Sequence, residues 1–462
     1  MNEPDAGLPD EQLKAEPVST AIGTAIESTS GLQRDAQVTV HITCALTGER
    51  LCIVQVGRSS NVRQLKGLVQ REIGKSAKDQ ELQLLLSEVV LHDAELVQSV
   101  VARMTSSDVH VQLLRAPPWC WQSDYDGFTP TFTAERILGS GCFGIVYEAK
   151  VDQTGETVAI KQVLQDERFK NRELKIMKEL HHPNIVELKH AFYTCTDGEA
   201  QKTYLNIVMV CYAENLCSVT RHYSALEQPV PLLLVQLYSY QLSRALAHTH
   251  ALGICHRDVQ SPNILIDERT HALKLADWGA AKRLMAGKPN VSYICGRCHR
   301  SPEELLGATH YTLTVDIWAS GCVTAELILG RYLFPGDSAV EKLIAVLKIL
   351  GTPSVEEIAE FNLSTAEFKF PQVEGQPWAK VFGTKTTAEG IDYISKLLRY
   401  SGRPSGLHCC AHAFFDDLRH EDTHASTTTS LPDSLFLFSS QEWALMDSDL
   451  IAKLVPHWFR GH

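Results

Sequence analysis

Near the start of the chain Val38, Val40 and Ile42 alternate with polar residues, and residues 51–56 make a second apolar run after Thr47 and Gly48. That pattern predicts a β-hairpin. Ser60 stands where it would cap a helix whose apolar positions, Val62, Leu65, Val69 and Ile73, recur at helical spacing and stop at Gly74. Residues 82–86 and 109–113 predict further strands. Residues 1–36 lack any such period: seven acids stand against Lys14 and Arg34 among Ser, Thr, Ala and Gly, which predicts disorder. Residues 116–131, with Pro117, Pro118, Trp119 and Trp121, read as a linker. Beyond it, strands around Ile145–Tyr147 and at 157–161 flank a turn at Thr154 and Gly155. Glu173, Ile176, Met177 and Leu180 share one helical stripe, residues 232–250 form a long helix that Gly253 ends, and 263–267 and 272–276 predict a hairpin. The fold class read from this order is α+β.

The run Leu138, Gly139, Ser140, Gly141, Cys142, Phe143, Gly144, Ile145, Val146 contains G-x-G-x-x-G. A dinucleotide-binding loop with this spacing would open a helix, but here the chain continues into a strand. Two strands and a short turn make a flap whose backbone N–H groups can cover phosphates. Ala159 and Lys161 lie two apart on the next strand and so face one side, where a lysine reaches a nucleotide's phosphates. Glu173 points its carboxylate along an apolar helix face. A buried carboxylate needs a partner, and Lys161 is the evident one.

Downstream comes His256-Arg-Asp-Val-Gln-Ser-Pro-Asn263, in which Asp258 can orient an attacking hydroxyl and accept its proton while Asn263 holds a metal ion. The predicted hairpin then delivers Asp277-Trp-Gly279, an acid suited to Mg²⁺ shared with phosphate oxygens. Ser301-Pro-Glu303 follows, and Asp316 begins another buried helix. In this order and spacing, the pieces resemble a protein-kinase set, which implies a bilobal fold using ATP and Mg²⁺.

Longer strings carry the resemblance further. Residues 157–173, Gly287-Lys-Pro-Asn-Val-Ser-Tyr-Ile-Cys295, Phe334-Pro-Gly-Asp-Ser338 and Glu367-Phe-Lys-Phe-Pro371 are similar to the glycogen synthase kinase-3 (shaggy-like) family of serine/threonine kinases. The resemblance implies a kinase domain over 132–416, with a small lobe at 132–209, a hinge at 210–214 and a large lobe at 215–416. A C-terminal extension, 417–462, would pack on the large lobe. It implies that Val210, Cys211 and Tyr212 form the adenine-binding hinge behind Met209. It also implies that Arg172, Arg257 and Lys282 bind a phosphate already on the protein substrate, and that Tyr293 is an activating phosphotyrosine site near Arg297 and Arg300. Residues 361–371 resemble a surface that scaffold helices use. The order ββαββ in 37–115 resembles the ubiquitin-like β-grasp fold, which implies a docking or ubiquitin-pathway partner.

Three departures stand out. Gln260 occupies the place of a catalytic-loop lysine, Trp278 that of a phenylalanine, and the stretch Tyr400-Ser-Gly-Arg403 is shorter than the family's. Gly296 and Cys298 alter the activation segment, and the Arg-rich Ser motif by which some relatives inhibit themselves is missing. An amide can donate a hydrogen bond to a phosphoryl group but cannot neutralise its charge, so a slow kinase is expected. The alternative is a pseudokinase or scaffold that binds nucleotide and partners with little phosphotransfer.

Charge and composition narrow the partners. The 462 residues carry a net charge of −12, which opposes general nucleic-acid binding, and no apolar run reaches the ~18 residues of a membrane helix. Thirteen cysteines and an acidic start read as reduced thiols in a cytoplasmic or nuclear protein. Cys295-Gly-Arg-Cys-His299 spells a haem-attachment signature, and His408 and His412 have zinc-like spacing. Both sit inside segments that the kinase resemblance already occupies, so two free thiols and a structural helix are expected there.

Overall fold

The computed structural model describes residues 37–44, 50–57, 60, 63–65, 68–69, 82–86, 89–90, 109–115, 120–122, 130–141, 144–165, 172–195, 202–285, 287–291, 299–361, 370–425 and 431–461. The chain divides into two compact units, Met1–Lys75 with His92–Val111 and Ser76–Leu91 with Gln112–His462.

In the first unit β1 (Gln37–Cys44) and β2 (Arg50–Gly57) pair antiparallel, with Val40 opposite Val54. Residues 63–65 and 68–69 are helical, and Val40, Val54, Val56, Leu65 and Val69 form a buried set while Ile53 and Gln55 face solvent. That alternation is what the period-2 pattern requires of a sheet with one covered face. The turn expected at Thr47 and Gly48, the helix stop at Gly74 and the segment 1–36 lie outside the described residues.

In the second unit β3 (Leu82–Leu86) pairs with β4 (Val89–Val90) and with the last four residues of β5 (Val109–Arg115). A six-stranded sheet then has the order β10-β11-β9-β8-β7-β6. Its members are β6 (Cys120–Gln122), β7 (Thr131–Gly141), β8 (Gly144–Val151), β9 (Thr157–Leu164), β10 (Leu188–Cys195) and β11 (Thr203–Val210). Strand β6 corrects the linker reading of 116–131: Cys120–Gln122 pair with residues 131–133 of β7 and satisfy a backbone edge that would otherwise be open. Helix α1 (Glu173–Met177) follows β9.

The remainder is mainly helical. Short strands β12 (Glu214–Asn215), β13 (Ile254–Cys255), β14 (Ile264–Ile266), β15 (Leu273–Leu275) and β16 (Lys282–Arg283) frame the loops that matter below. Helices α2 (Leu216–Ala225), α3 (Leu232–Ala251), α4 (Pro302–Leu305) and α5 (Thr314–Leu329) surround them. Nearly every residue of α3 from Leu234 to Thr249 is buried, as is α5 from Val315 to Leu329. Helices buried on all sides belong in a core, and the buried polar side chains of α3, Gln241 and Arg244 among them, are hydrogen-bonded there. No helix among the described residues is long and apolar enough to cross a membrane.

Candidate active site

Strand β9 carries Lys161 beside β11, where Ala159 faces Met209 and Val158 faces Val210 across the ladder. On its other side β8 sets Val146 opposite Lys161. The β7–β8 hairpin pairs Gly139 with Val146, Ser140 with Ile145 and Gly141 with Gly144; Leu138 is half-buried, and Cys142 and Phe143 lie outside the described residues. Gly144 has a φ of +137°, and a Cβ there would come within 2.2 Å of the Gln162 carbonyl oxygen. Only glycine lets the flap lie this close to β9.

Lys161 Nζ donates to Glu173 Oε1 and Oε2 at 2.7 and 2.9 Å and to Asp277 Oδ1 at 2.7 Å. Residues from β9, α1 and the loop after β15 thus meet at one ammonium. Burial works against the charge on Lys161, but Asp277 and Glu173 outweigh it and raise its pKa. For Asp277, burial pushes the carboxyl up while the Lys161 ammonium and the Gly279 N–H hold it below its ordinary value.

The loop after β13 brings the other polar groups. Asp258 is buried, and Gln260 Nε2 donates to both of its carboxylate oxygens at 3.2 and 3.2 Å. Asn263 Nδ2 donates to Asp258 Oδ2 at 2.9 Å and to the Asp258 carbonyl at 2.9 Å. Ala276 N–H donates to the Asn263 carbonyl, so the two loops are joined one residue before Asp277. With its amide nitrogen committed, Asn263 has Oδ1 for a cation, and Asp277 has Oδ2. Two hard oxygen donors beside an ammonium fit Mg²⁺ on nucleotide phosphates.

Arg257 and Asp277 are non-glycine residues at left-handed φ, 67° and 63°. Such strain costs of order 1–3 kcal/mol and persists only where neighbours over-determine it. Asp316 supplies that constraint at Arg257. Its carboxylate accepts from the His256 and Arg257 backbone N–H groups, each at 2.8 Å, and from His250 Nε2 at 3.0 Å. Asp316 is a positioning residue that the motif reading treats only as the start of a helix; a lone carboxylate opening an apolar helix is the signal that marks it. A buried ion pair, Arg403 to Glu303 at 2.6 and 2.9 Å, likewise ties the Ser301-Pro-Glu303 turn to a distant loop. Trp278 is fully buried, edge-on to His256 with ring centroids 4.6 Å apart, and its indole N–H has no hydrogen-bond partner among the described residues.

A family model described as a protein kinase domain matches residues 132–415. The chain belongs to the protein kinase family.

Within this kinase domain the remaining expected residues fall in three places. Tyr212 is half-buried beyond β11, as is Cys211. Arg172 is exposed just before α1, and partial burial together with the charges of Arg257, Arg172 and Lys288 lowers the Lys282 pKa, which brings these cations into one field. Arg257 and Lys282 meet neutral acceptors: Ala280 O at 2.7 Å and Tyr311 Oη at 3.3 Å for the arginine, Asn290 Oδ1 at 2.7 Å for the lysine. Arg300 is half-buried, whereas Tyr293, Gly296, Arg297 and Cys298 lie outside the described residues, as do residues 362–369 of the expected scaffold surface. His299 of the haem-like motif is buried and bonds Glu326 at 3.2 Å. His408 is exposed and His412 caps a 3-10 turn of the kinase domain by accepting from Phe414 N–H. Among the described residues no group of three or more His, Cys, Asp or Glu side chains could hold a metal.

The same region yields a pH prediction. Burial, and after it the neighbouring Glu303 and Asp316, raise the Glu304 carboxyl to about 7 against the bonds from Ser301. Between about pH 4.5 and 7 the native state keeps a proton that the unfolded chain has lost, so this group's contribution to stability falls as pH rises through that window. The melting temperature of the wild type minus that of Glu304→Gln is expected to drop between pH 5.5 and 8; a flat difference would contradict the assignment.

Proposed function

We propose that this kinase transfers the γ-phosphate of ATP to Ser/Thr residues of pre-phosphorylated proteins, in the manner of the glycogen synthase kinase-3 family. The observation that carries the reading is the convergence of Lys161, Glu173 and Asp277 at one point, with Asp258 and Asn263 on the loop joined to it. In this mechanism Lys161, fixed by Glu173, positions the phosphates under the flap of residues 138–146. Asp277 and Asn263 would hold Mg²⁺, which when bound offsets phosphate charge. Asp258, oriented by the amides of Gln260 and Asn263, aligns the substrate hydroxyl and takes its proton.

Arg172, Arg257 and Lys282 suit a phosphate on the substrate. Two of them bond only neutral groups among the described residues, so a dianion there meets uncompensated positive charge and charge-assisted bonds. Labelled ATP should modify a Ser-x-x-x-phosphoSer peptide at least ~10-fold faster than its unphosphorylated twin, and Arg172→Ala should shrink that ratio. Equal rates on both peptides would remove the priming part of the reading.

Gln260 favours a second reading, a scaffold that binds nucleotide and partners with little transfer. Its mark would be nucleotide binding without labelling of either peptide. In either case residues 361–371 are proposed to meet a scaffold helix. Residues 37–115, whose β1–β2 hairpin and buried helical residues support a ubiquitin-like domain, are proposed as a docking module. A cytoplasmic or nuclear setting accords with the cysteine content.

A further inference from the structure

Glu442 comes from the C-terminal extension, yet it is completely buried and both its oxygens are used. Arg244 of α3 donates to Oε1 at 2.9 Å through Nε and to Oε2 at 2.7 Å, and the Ser439 N–H donates to Oε2 at 2.7 Å. His182 adds a contact from Nε2 to Oε2 at 3.2 Å. The Asn184 N–H donates to His182 Nδ1 at 3.0 Å, which assigns the ring proton to Nε2 and makes His182 the donor toward Glu442. Burial would push the Glu442 carboxyl up, but the bonds from His182 and Arg244 outweigh it and hold it far below the ordinary range.

What His182 is attached to gives the contact its meaning. It lies five residues beyond α1, whose Glu173 holds Lys161. The loop it opens grips the strand that delivers Asp277: Leu275 N–H donates to Asn184 O at 2.9 Å, Val186 N–H to Leu275 O at 3.0 Å, and Asn184 Nδ2 to Leu273 O at 3.2 Å. Asn184 Nδ2 also donates to Gln241 of α3 at 2.9 Å. One loop therefore spans both carboxylates that converge on the ammonium. Its anchor on the large helical part consists of α3 and Glu442.

We propose that Glu442 is a positioning residue for phosphoryl transfer: through His182 it fixes the loop at 182–186, and so sets Glu173 and Asp277 on Lys161. This rests on the phosphotransfer reading, but nucleotide binding tests it even if transfer by the wild type proves negligible.

The full chain carrying His182→Leu keeps the Arg244–Glu442 pair and removes the bond to Glu442, together with the bond from the Asn184 N–H and the stacking on His248. Calorimetry with Mg²⁺ and a non-hydrolysable ATP analogue is expected to show roughly three- to thirtyfold weaker binding, with adenosine affinity unchanged. KM for ATP should rise with it, and KM for the peptide should not. A merely structural contact would lower the melting temperature and weaken adenosine and the analogue together, or neither; either result overturns the proposal. Should His182→Leu not fold, the double variant Arg244→Met with Glu442→Met replaces the buried pair by apolar residues of similar size, at the cost of the Arg244 bonds to the carbonyls of Ser434, Leu435 and Leu437. It is expected to show the same selective loss, and unchanged binding of the analogue would again overturn the proposal.

Discussion

Asp258→Asn is expected to lower turnover by about 10²- to 10⁴-fold while leaving nucleotide binding intact. The two side chains have the same shape, so the buried site is not emptied. What changes is chemistry. An amide cannot take a proton from the attacking hydroxyl, and its NH₂ would face the Gln260 and Asn263 amides that now donate to the carboxylate. The Lys161–Glu173–Asp277 cluster, which binds the phosphates in the proposed mechanism, keeps its charges and its bonds in this variant, so affinity for a non-hydrolysable analogue should survive. Single-turnover labelling beside calorimetry checks both halves. Unchanged turnover would deny Asp258 its role as base, and joint loss of turnover and binding would make it a structural residue.

Much of this site is legible in the chain because its parts are local. Lys161 and Glu173 are 12 residues apart and each lies on an element with its own period, so the strand face and the helix stripe can be placed before they are joined. The loop from His256 to Asn263 is shorter still, and its polar residues bond one another. Contacts between distant segments leave no such trace. Arg403 and Glu303 are 100 positions apart, and Glu442 and His182 are 260 apart. Each is a polar or charged residue in an unremarkable local pattern, and only the packing of helices reveals that it is buried and paired. Asp316 is an intermediate case: its position in an apolar helix shows that it needs partners, but not that those partners are the backbone of the catalytic loop. Strand β6 is hidden for another reason. Three residues are too few to show a period, and Pro117 and Pro118 just before them speak for a linker.

Gln260→Lys is expected to raise turnover about ten- to hundredfold at matched nucleotide affinity. One transition-state contact to a developing anion is worth about 10²- to 10³-fold, and the amide already present recovers part of that. Gln260 sits 3.2 Å from each oxygen of Asp258, so a lysine at this position would stand beside the base and within the same loop. It could act in two ways, by neutralising Asp258 or by stabilising the phosphoryl group in flight, and a double-mutant cycle with Asp258→Asn distinguishes them. If the ammonium serves the phosphoryl group, lysine multiplies the residual rate of the Asp258→Asn protein by the same factor as it does the wild type. If it serves Asp258, the gain vanishes once that carboxylate is an amide. No gain in either background would mean that the neutral amide does not limit this kinase, and the slow-enzyme reading of Gln260 would fall.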